Sequence, residues 1–378
     1  MTGPDRPVYL DHNATTPLAP GVLDVMNRYL GDEFGNPSSG HRYGQAPRHA
    51  VAAARAQVAA LLGTQPDRIV FTGCGSEANT LAICGVTAGR TGHVITQATE
   101  HPAVLQTCRS LSAHGIRVTV LPVDEHGLVN PSDLAAALTD DTLLVSVMHA
   151  NNETGTVQPI SQLAALVHDA GALFHTDAAQ TTGKLSYTVD DLGVDLLTVA
   201  GHKFGGPKGI GALYLRDGVT VQPVVLGGGQ ERGLRSGTEN VAAIAGIGGA
   251  AEYAQTNITA RHGQLTAARD LLHRLLAEAL GDRVLLNGHP QQRLPNTLNI
   301  SISGTVGAQV LAATPQVAAS TGSACHDGPV TSPVLAAMGM DPPRVTAAIR
   351  LSVGATTTEA DVRYAARLLT AAADGSGS

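Results

Sequence analysis

Short runs of β-branched and aliphatic residues alternate with longer amphipathic stretches through the first two-thirds of the chain. The segments 68–73 (RIVFTG), 93–98 (HVITQA), 117–123 (RVTVLPV), 142–150 (TLLVSVMHA), 172–179 (ALFHTDAA), 195–201 (DLLTVAG) and 209–216 (GIGALYLR) predict strands. Between several of them, 76–88, 101–114 and 159–170 carry helical patterns. Strands apolar on both faces, separated by helices, predict an α/β fold: a mostly parallel sheet covered by helices on both sides. An Ala- and Leu-rich region at 240–280 predicts one or two long helices. After it, LPNTLNISI and AAIRLSVG predict strands of a smaller α+β domain, and the closing ADGSGS predicts a disordered tail.

Composition narrows the class. The chain has 378 residues, 43% hydrophobic and 15% charged, which is globular and long enough for two lobes. A net charge of −7 argues against nucleic acid as the main partner. No basic start leads into an apolar stretch, and the longest weakly apolar run, VAAIAGIGGAA from Val241, is too short to span a bilayer. These features predict a cytoplasmic protein with no membrane partner. Of the four cysteines, none forms a C-x-x-C pair or has a histidine at zinc spacing, so no metal site is predicted. Cys74, Cys84 and Cys108 sit in apolar or helical surroundings and read as core thiols. Cys325 differs: in STGSACHDGP (320–329) it stands among small, flexible residues.

Several polar residues fall just past predicted strand ends. Gly73, Cys74 and Gly75 lead from a strand into a helix at Ser76, a turn whose backbone N–H groups can cradle a phosphate. The turn lacks the G-K-[ST] of a nucleotide P-loop and the G-x-G-x-x-G of a dinucleotide fold. Lys203, beside His202 in AGHKFGGPKG, follows another strand and suits a Schiff base with a carbonyl cofactor; taken alone it reads rather as a surface lysine in a turn, and its company with the residues below changes that. Asp177, with Gln180 shortly after, ends an apolar strand, where a carboxylate needs a partner such as a protonated pyridine nitrogen, or caps the next helix. His101 and Asn152 follow two further strands. One crevice at the C-terminal edge of the sheet would collect all of them.

Carried by YLDHNATTP, FGNPSSGHRYG, FTGCGSEANTLAI, EHPAVL, MHANNETGTVQPI, FHTDAAQTTGKL, GHKFGGPKGIGALYLR, GGGQERGLRSGTENV, PNTLNIS, STGSACHDG and IRLSVG, the chain resembles the cysteine desulfurases of the class V aminotransferase family, fold-type-I pyridoxal phosphate enzymes. The resemblance runs through nearly the whole chain. It implies a large domain, 14–258, built on a seven-stranded sheet, and a small domain, 1–13 and 259–372, bearing a cysteine loop at about 319–333, with a tail at 373–378. It also implies that Lys203 binds pyridoxal 5'-phosphate covalently, Asp177 pairs with the ring nitrogen, and His101 stacks on the ring and assists proton transfer. Gln180 and Asn152 would contact the phenolic oxygen, Asn152 also placing the substrate. Gly75, Ser76 and His202 would hold the phosphate. Thr238 would reach the phosphate of a second copy, making a homodimer part of the site. Arg350 would clamp the carboxylate of L-cysteine. Cys325 would take the substrate sulfur as a persulfide, leave L-alanine, and pass the sulfur to an acceptor protein for iron–sulfur clusters, tRNA thiolation or another product. Its small neighbours would serve as a tether.

Three positions depart from the family pattern. Ala200 stands where a serine usually donates to the phosphate, worth about 1 kcal/mol as one hydrogen bond. Ser76 replaces a threonine, and Thr314–Pro315 interrupts the approach to the cysteine segment. His326 is an unusual neighbour for Cys325, read as a solvated side chain with little effect on the thiol. Other readings of the same residues are a selenocysteine lyase or another lyase or aminotransferase on this scaffold, or a non-catalytic sulfur-relay scaffold.

Overall fold

The computed structural model describes residues 6–321 and 332–375. A seven-stranded sheet runs in the order Ile69–Thr72, Gly211–Leu215, Leu196–Ala200, Leu173–Asp177, Thr142–Ser146, Gly92–Gln97, Ile116–Leu121. All neighbours pair in parallel except Gly211–Leu215, which is antiparallel to both of its partners. Every residue of Thr142–Ser146, Leu196–Ala200 and Gly211–Leu215 is buried, as expected for strands covered on both faces. All seven predicted strands form. Several end earlier than their apolar run, because the chain turns out of the sheet toward the crevice: the run 142–150 is a strand only to Ser146.

The Ala-rich region is a single helix, Val241–Leu280, capped by the Asn240 side chain, which accepts from Ala243 N–H. It crosses the expected boundary at residue 258 without a break. Its first half, from Val241 to Ala254, packs into the core that includes Phe174, Val199 and Phe204. Its second half, from Leu265 to Leu280, packs into a separate core with Leu298, Ile300, Leu351 and Val362. Two of its glycines, Gly246 and Gly248, have a packing reason: a Cβ at Gly248 would lie 2.6 Å from Ala54 Cα on the helix Arg42–Leu62. The second core covers an antiparallel sheet ordered Ala348–Ser352, Thr297–Ile302, Val284–Leu286. The N-terminal strand Val8–Tyr9 joins Val317–Ala318 in parallel and brings the segment from Leu10 to Thr16 over the crevice.

The last helix reaches into the segment expected as a tail. It runs from Glu359 to Gly375, with Ala373 buried and Asp374 paired to Arg283 at 2.9 Å. Those contacts hold 373–375 in the final turn; 376–378 lie outside the described residues. Among the described residues no helix is long and apolar enough to cross a membrane.

Candidate active site

At the C-terminal edge of the central strands lies a cavity of about 220 Å³. Gly75, Ser76, His101, Asn152, Asp177, Gln180, His202 and Lys203 line it together with Cys74, Asn79 and Ala200. Loops after five different strands therefore converge, and the topology brings together eight of the eleven predicted site residues; Thr238 and Arg350 lie elsewhere, and Cys325 lies outside the described residues.

Asp177 ends its strand with both oxygens occupied: Asn79 Nδ2 donates to Oδ2 at 2.8 Å and Ala179 N–H to Oδ1 at 2.9 Å. Asp177 is buried and carries no helix-capping bond, so its carboxylate belongs to the cavity. Asn79 lies in the helix Gly75–Thr87, whose N-terminus opens into the cavity. That helix start is tight. A Cβ on Gly75 would meet Ala200 Cβ at 3.1 Å.

Lys203 is no surface lysine. Its Nζ donates to the carbonyls of Asn13 at 2.7 Å and Ala14 at 2.9 Å. Burial, with the Arg350 charge adding to it, lowers its amine to about 8 against the opposing Asp177 and Asp11. His101 caps the helix Pro102–Ser110, its Nδ1 accepting from Ala103 N–H at 3.1 Å. That bond leaves Nε2 to carry the proton of the neutral ring. Burial lowers the His101 pKa, with Asp177 opposing and Lys203 assisting. His202 shares a hydrogen bond with Thr15 at 3.1 Å, and burial lowers it to about 4.

Arg350 stands behind Asn152. Its Nη2 pairs with Asp11 Oδ1 at 2.6 Å and its Nη1 donates to Asn152 O at 3.2 Å. The guanidinium is buried, with side-chain exposure of 3%. Ser320 exchanges two backbone hydrogen bonds with Arg350, of 2.7 and 3.3 Å. On the far side of the cysteine segment, Ser332 Oγ donates to the buried Glu153 at 2.5 Å and caps the helix Pro333–Ala337. Burial pushes Glu153 up, with Ser332 and Arg350 opposing. Cys325 and His326 themselves lie outside the described residues. Thr314, in the altered approach, is buried and bonds back to Val310 O at 2.9 Å.

Two placements differ from the rest. Thr238 lines a separate cavity of about 180 Å³ with Gly73, Arg235 and Glu239, away from Lys203 of its own chain. Cys74 is not a core thiol. It is exposed in the crevice wall, because it caps the helix, its Sγ accepting from Glu77 N–H at 3.4 Å. Cys108 is buried as expected and Cys84 is half-buried.

Sequence reasoning did not single out Asp11, Asn13, Asn79 or Lys184. Asn13 receives Lys203 and Gln180 on its backbone oxygen, and its side chain bonds Asn152, Thr297, Lys184 and Asn296. These partners lie up to 284 positions away, so no local pattern marks the residue. Asn79 alone had a signal: it follows Ser76 by three positions, one helical turn, on the face of the phosphate cradle.

The residues fit pyridoxal phosphate by their chemistry. They combine a half-buried lysine of lowered pKa, an oriented acid for a ring nitrogen, and a glycine-floored helix N-terminus for a phosphate.

Comparison with known proteins agrees with that chemistry. The profile of the class-V aminotransferase family matches residues 8–364. A cysteine desulfurase IscS of Dictyoglomus turgidum is 44% identical over 367 residues, covering 95% of this chain and 92% of the relative. A solved NifS-like protein superposes with a TM-score of 0.90 at 36% identity, over 97% of this chain and 98% of the other. A structure of SspA in complex with cysteine gives a TM-score of 0.81 at 36% identity, over 91% and 98%. The chain belongs to the class-V aminotransferase family of pyridoxal phosphate enzymes, on its cysteine desulfurase branch.

Proposed function

We propose that this protein converts L-cysteine to L-alanine, taking the sulfur onto Cys325 as a persulfide and passing it to an acceptor protein. The observation that carries this reading is the convergence of Lys203, Asp177 and His101 on one cavity, with Arg350 behind its Asn152 wall. Bound pyridoxal phosphate supplies a sink for the electron pair left when the substrate α-proton departs. Lys203, lowered to about 8, keeps a neutral fraction near neutral pH and can attack a carbonyl or accept a proton. Asp177, held by Asn79 and Ala179, presents a fixed carboxylate to a cationic ring nitrogen. His101 offers a flat ring with its proton on Nε2 for proton transfer. Gly75, Ser76 and His202 hold the phosphate, while Gln180 and Asn152 meet the phenolic oxygen.

Arg350 binds the substrate carboxylate through its planar fork. The Cys325 thiolate attacks the substrate sulfur. A sulfur–sulfur bond forms as the carbon–sulfur bond breaks, the electron pair stays on the carbon side, and a proton completes alanine. An acceptor thiol then removes the outer sulfur by exchange. A homodimer completes the site in this reading, with Thr238 of one copy facing the cavity of the other. Its separation from the Lys203 of its own chain supports this, as does the exposed apolar set Phe34, Tyr43 and Leu226. The free thiols Cys84 and Cys108 are consistent with a reducing cytoplasm.

The test is mass spectrometry of Cys325 after incubation with L-cysteine. A persulfide on Cys325 is expected, together with stoichiometric alanine. Cys325→Ala should keep the bound cofactor and its spectral response to L-cysteine but transfer no sulfur. Undiminished desulfuration by that variant would remove Cys325 from the reaction and favour another activity on the same scaffold.

A further inference from the structure

Lys184 is buried behind the crevice wall, four residues beyond Gln180 in a run of turns, and no step above uses it. Its Nζ donates to Gln180 Oε1 at 3.0 Å and to Asn13 Oδ1 at 3.2 Å. Gln180 lines the cavity, and the Asn13 amide bonds to groups that frame it, Asn152 among them. With Oε1 turned to Lys184, Gln180 directs Nε2 forward, where it donates to Asn13 O at 3.0 Å, the same oxygen that receives Lys203 Nζ. With Oδ1 turned to Lys184 and Asn296, Asn13 directs Nδ2 to Asn152 O at 3.1 Å, the oxygen that also receives Arg350.

An amide has a donor end and an acceptor end of nearly equal shape, so its direction depends on a neighbour that can only donate or only accept. The ammonium form of lysine is donor-only, and even a neutral amine offers two N–H groups. Burial and the nearby charges of Lys203, Arg261 and Arg350 all press on Lys184, and its direct partners are two neutral amides. A bare aliphatic side chain would fill that space without the desolvation cost. The donor therefore needs a reason, and the two amides supply it.

We propose that Lys184 is a positioning residue that sets the direction of the Gln180 and Asn13 amides, so that Gln180 presents an N–H, not a carbonyl, to the cofactor. This rests on the pyridoxal phosphate reading above. An N–H facing the phenolic oxygen stabilises negative charge there; a reversed amide would oppose it with a carbonyl.

The test compares wild type, Lys184→Met, Gln180→Ala and the double variant, each reconstituted with pyridoxal phosphate. The readouts are the position of the visible absorption band and kcat/KM for L-cysteine. Lys184→Met should keep the cofactor but move the band in the direction that Gln180→Ala moves it. It should lower kcat/KM about tenfold, the worth of one charge-assisted hydrogen bond. In the Gln180→Ala background it should change the band no further. A band and kcat/KM equal to wild type, or effects that multiply in the double variant, would overturn the proposal. If Lys184→Met yields no folded holoenzyme, Lys184→Gln, which keeps an N–H at the end of the chain, carries the comparison. Its band should lie nearer wild type than that of Gln180→Ala, and a band displaced as far counts against the proposal. A wild-type protein with no visible band on adding pyridoxal phosphate defeats the cofactor reading itself, whereas a normal band unmoved by the variants defeats only the role of Lys184.

Discussion

Asn79 Nδ2 donates to Asp177 Oδ2 over 2.8 Å and so ties the helix that begins at Gly75 to the end of the central strand Leu173–Asp177. In the proposed function, the residues that would cradle the phosphate and the carboxylate that would meet the ring nitrogen are thereby tied into one unit. Asn79→Ala frees one carboxylate oxygen and is expected to weaken pyridoxal phosphate binding about tenfold, the usual cost of one lost bond to a charged group. Equilibrium titration of the apoprotein with the cofactor checks this. Unchanged affinity and an unchanged visible band would show that Ala179 alone aims Asp177.

Lys203 gives the apoprotein a pH-dependent stability. Its native pKa is about 8 against 10.5 in the unfolded chain, so between those values the unfolded state binds more protons and stability rises with pH. Below that window the burial of the charged form costs about 3 kcal/mol. Lys203→Met apoprotein should therefore unfold at higher urea concentration than wild type at neutral pH. The gap should close as pH rises through 10.5, where both lysine forms are neutral. Lys184 titrates in the same direction, and loss of the Lys203 charge that presses on it adds to the gap in the same sense. A gap that is constant with pH would deny the shift.

Arg350 is bonded to Asp11 Oδ1 at 2.6 Å and to Asn152 O at 3.2 Å, which fixes the direction of its fork; in the proposed function that fork receives the substrate carboxylate. Arg350→Lys keeps the charge but loses the two-pronged geometry. We expect KM for L-cysteine to rise about tenfold or more while the cofactor band stays in place. Steady-state kinetics with spectra of the same samples decide it; a lysine variant with wild-type KM would move the carboxylate site elsewhere.

Ala200 lines the cavity beside Gly75. Ala200→Ser adds one hydroxyl there and is expected to slow release of pyridoxal phosphate about fivefold, within the net worth of a single hydrogen bond. Dilution of holoenzyme into a cofactor trap measures the release rate. Faster release would mean the added oxygen crowds the close approach at Gly75.

Much of this was legible in the chain itself. The seven runs from 68 to 216 specify their strands because a strand covered on both faces is mostly aliphatic and β-branched, with its few polar side chains, such as Ser146 and His175, bonded to each other inside the sheet. Lys203, Asp177, His101 and Asn152 stand at or beyond the C-terminal ends of their strands, where the chain turns from the sheet toward the crevice and a polar side chain can reach a ligand. Motif likeness then attached a chemistry to those positions. Two local readings went astray for want of neighbours. Cys74 looked apolar in sequence, yet its turn faces the crevice. The residues at 373–375 looked like a free tail, yet Ala373 and Asp374 find partners on the small sheet side.

Only the tertiary structure decided how the site is braced. Asn13, Lys184, Asp11 and Asn79 act through hydrogen bonds to residues far along the chain, such as Lys203 with Asn13 and Arg350 with Asp11. A buried polar side chain is tolerated only where partners meet it in space, and periodicity along the chain carries no record of such meetings. Secondary structure and its strand-end residues are set by local pattern; the direction of an amide and the pKa of a buried lysine are set by the fold.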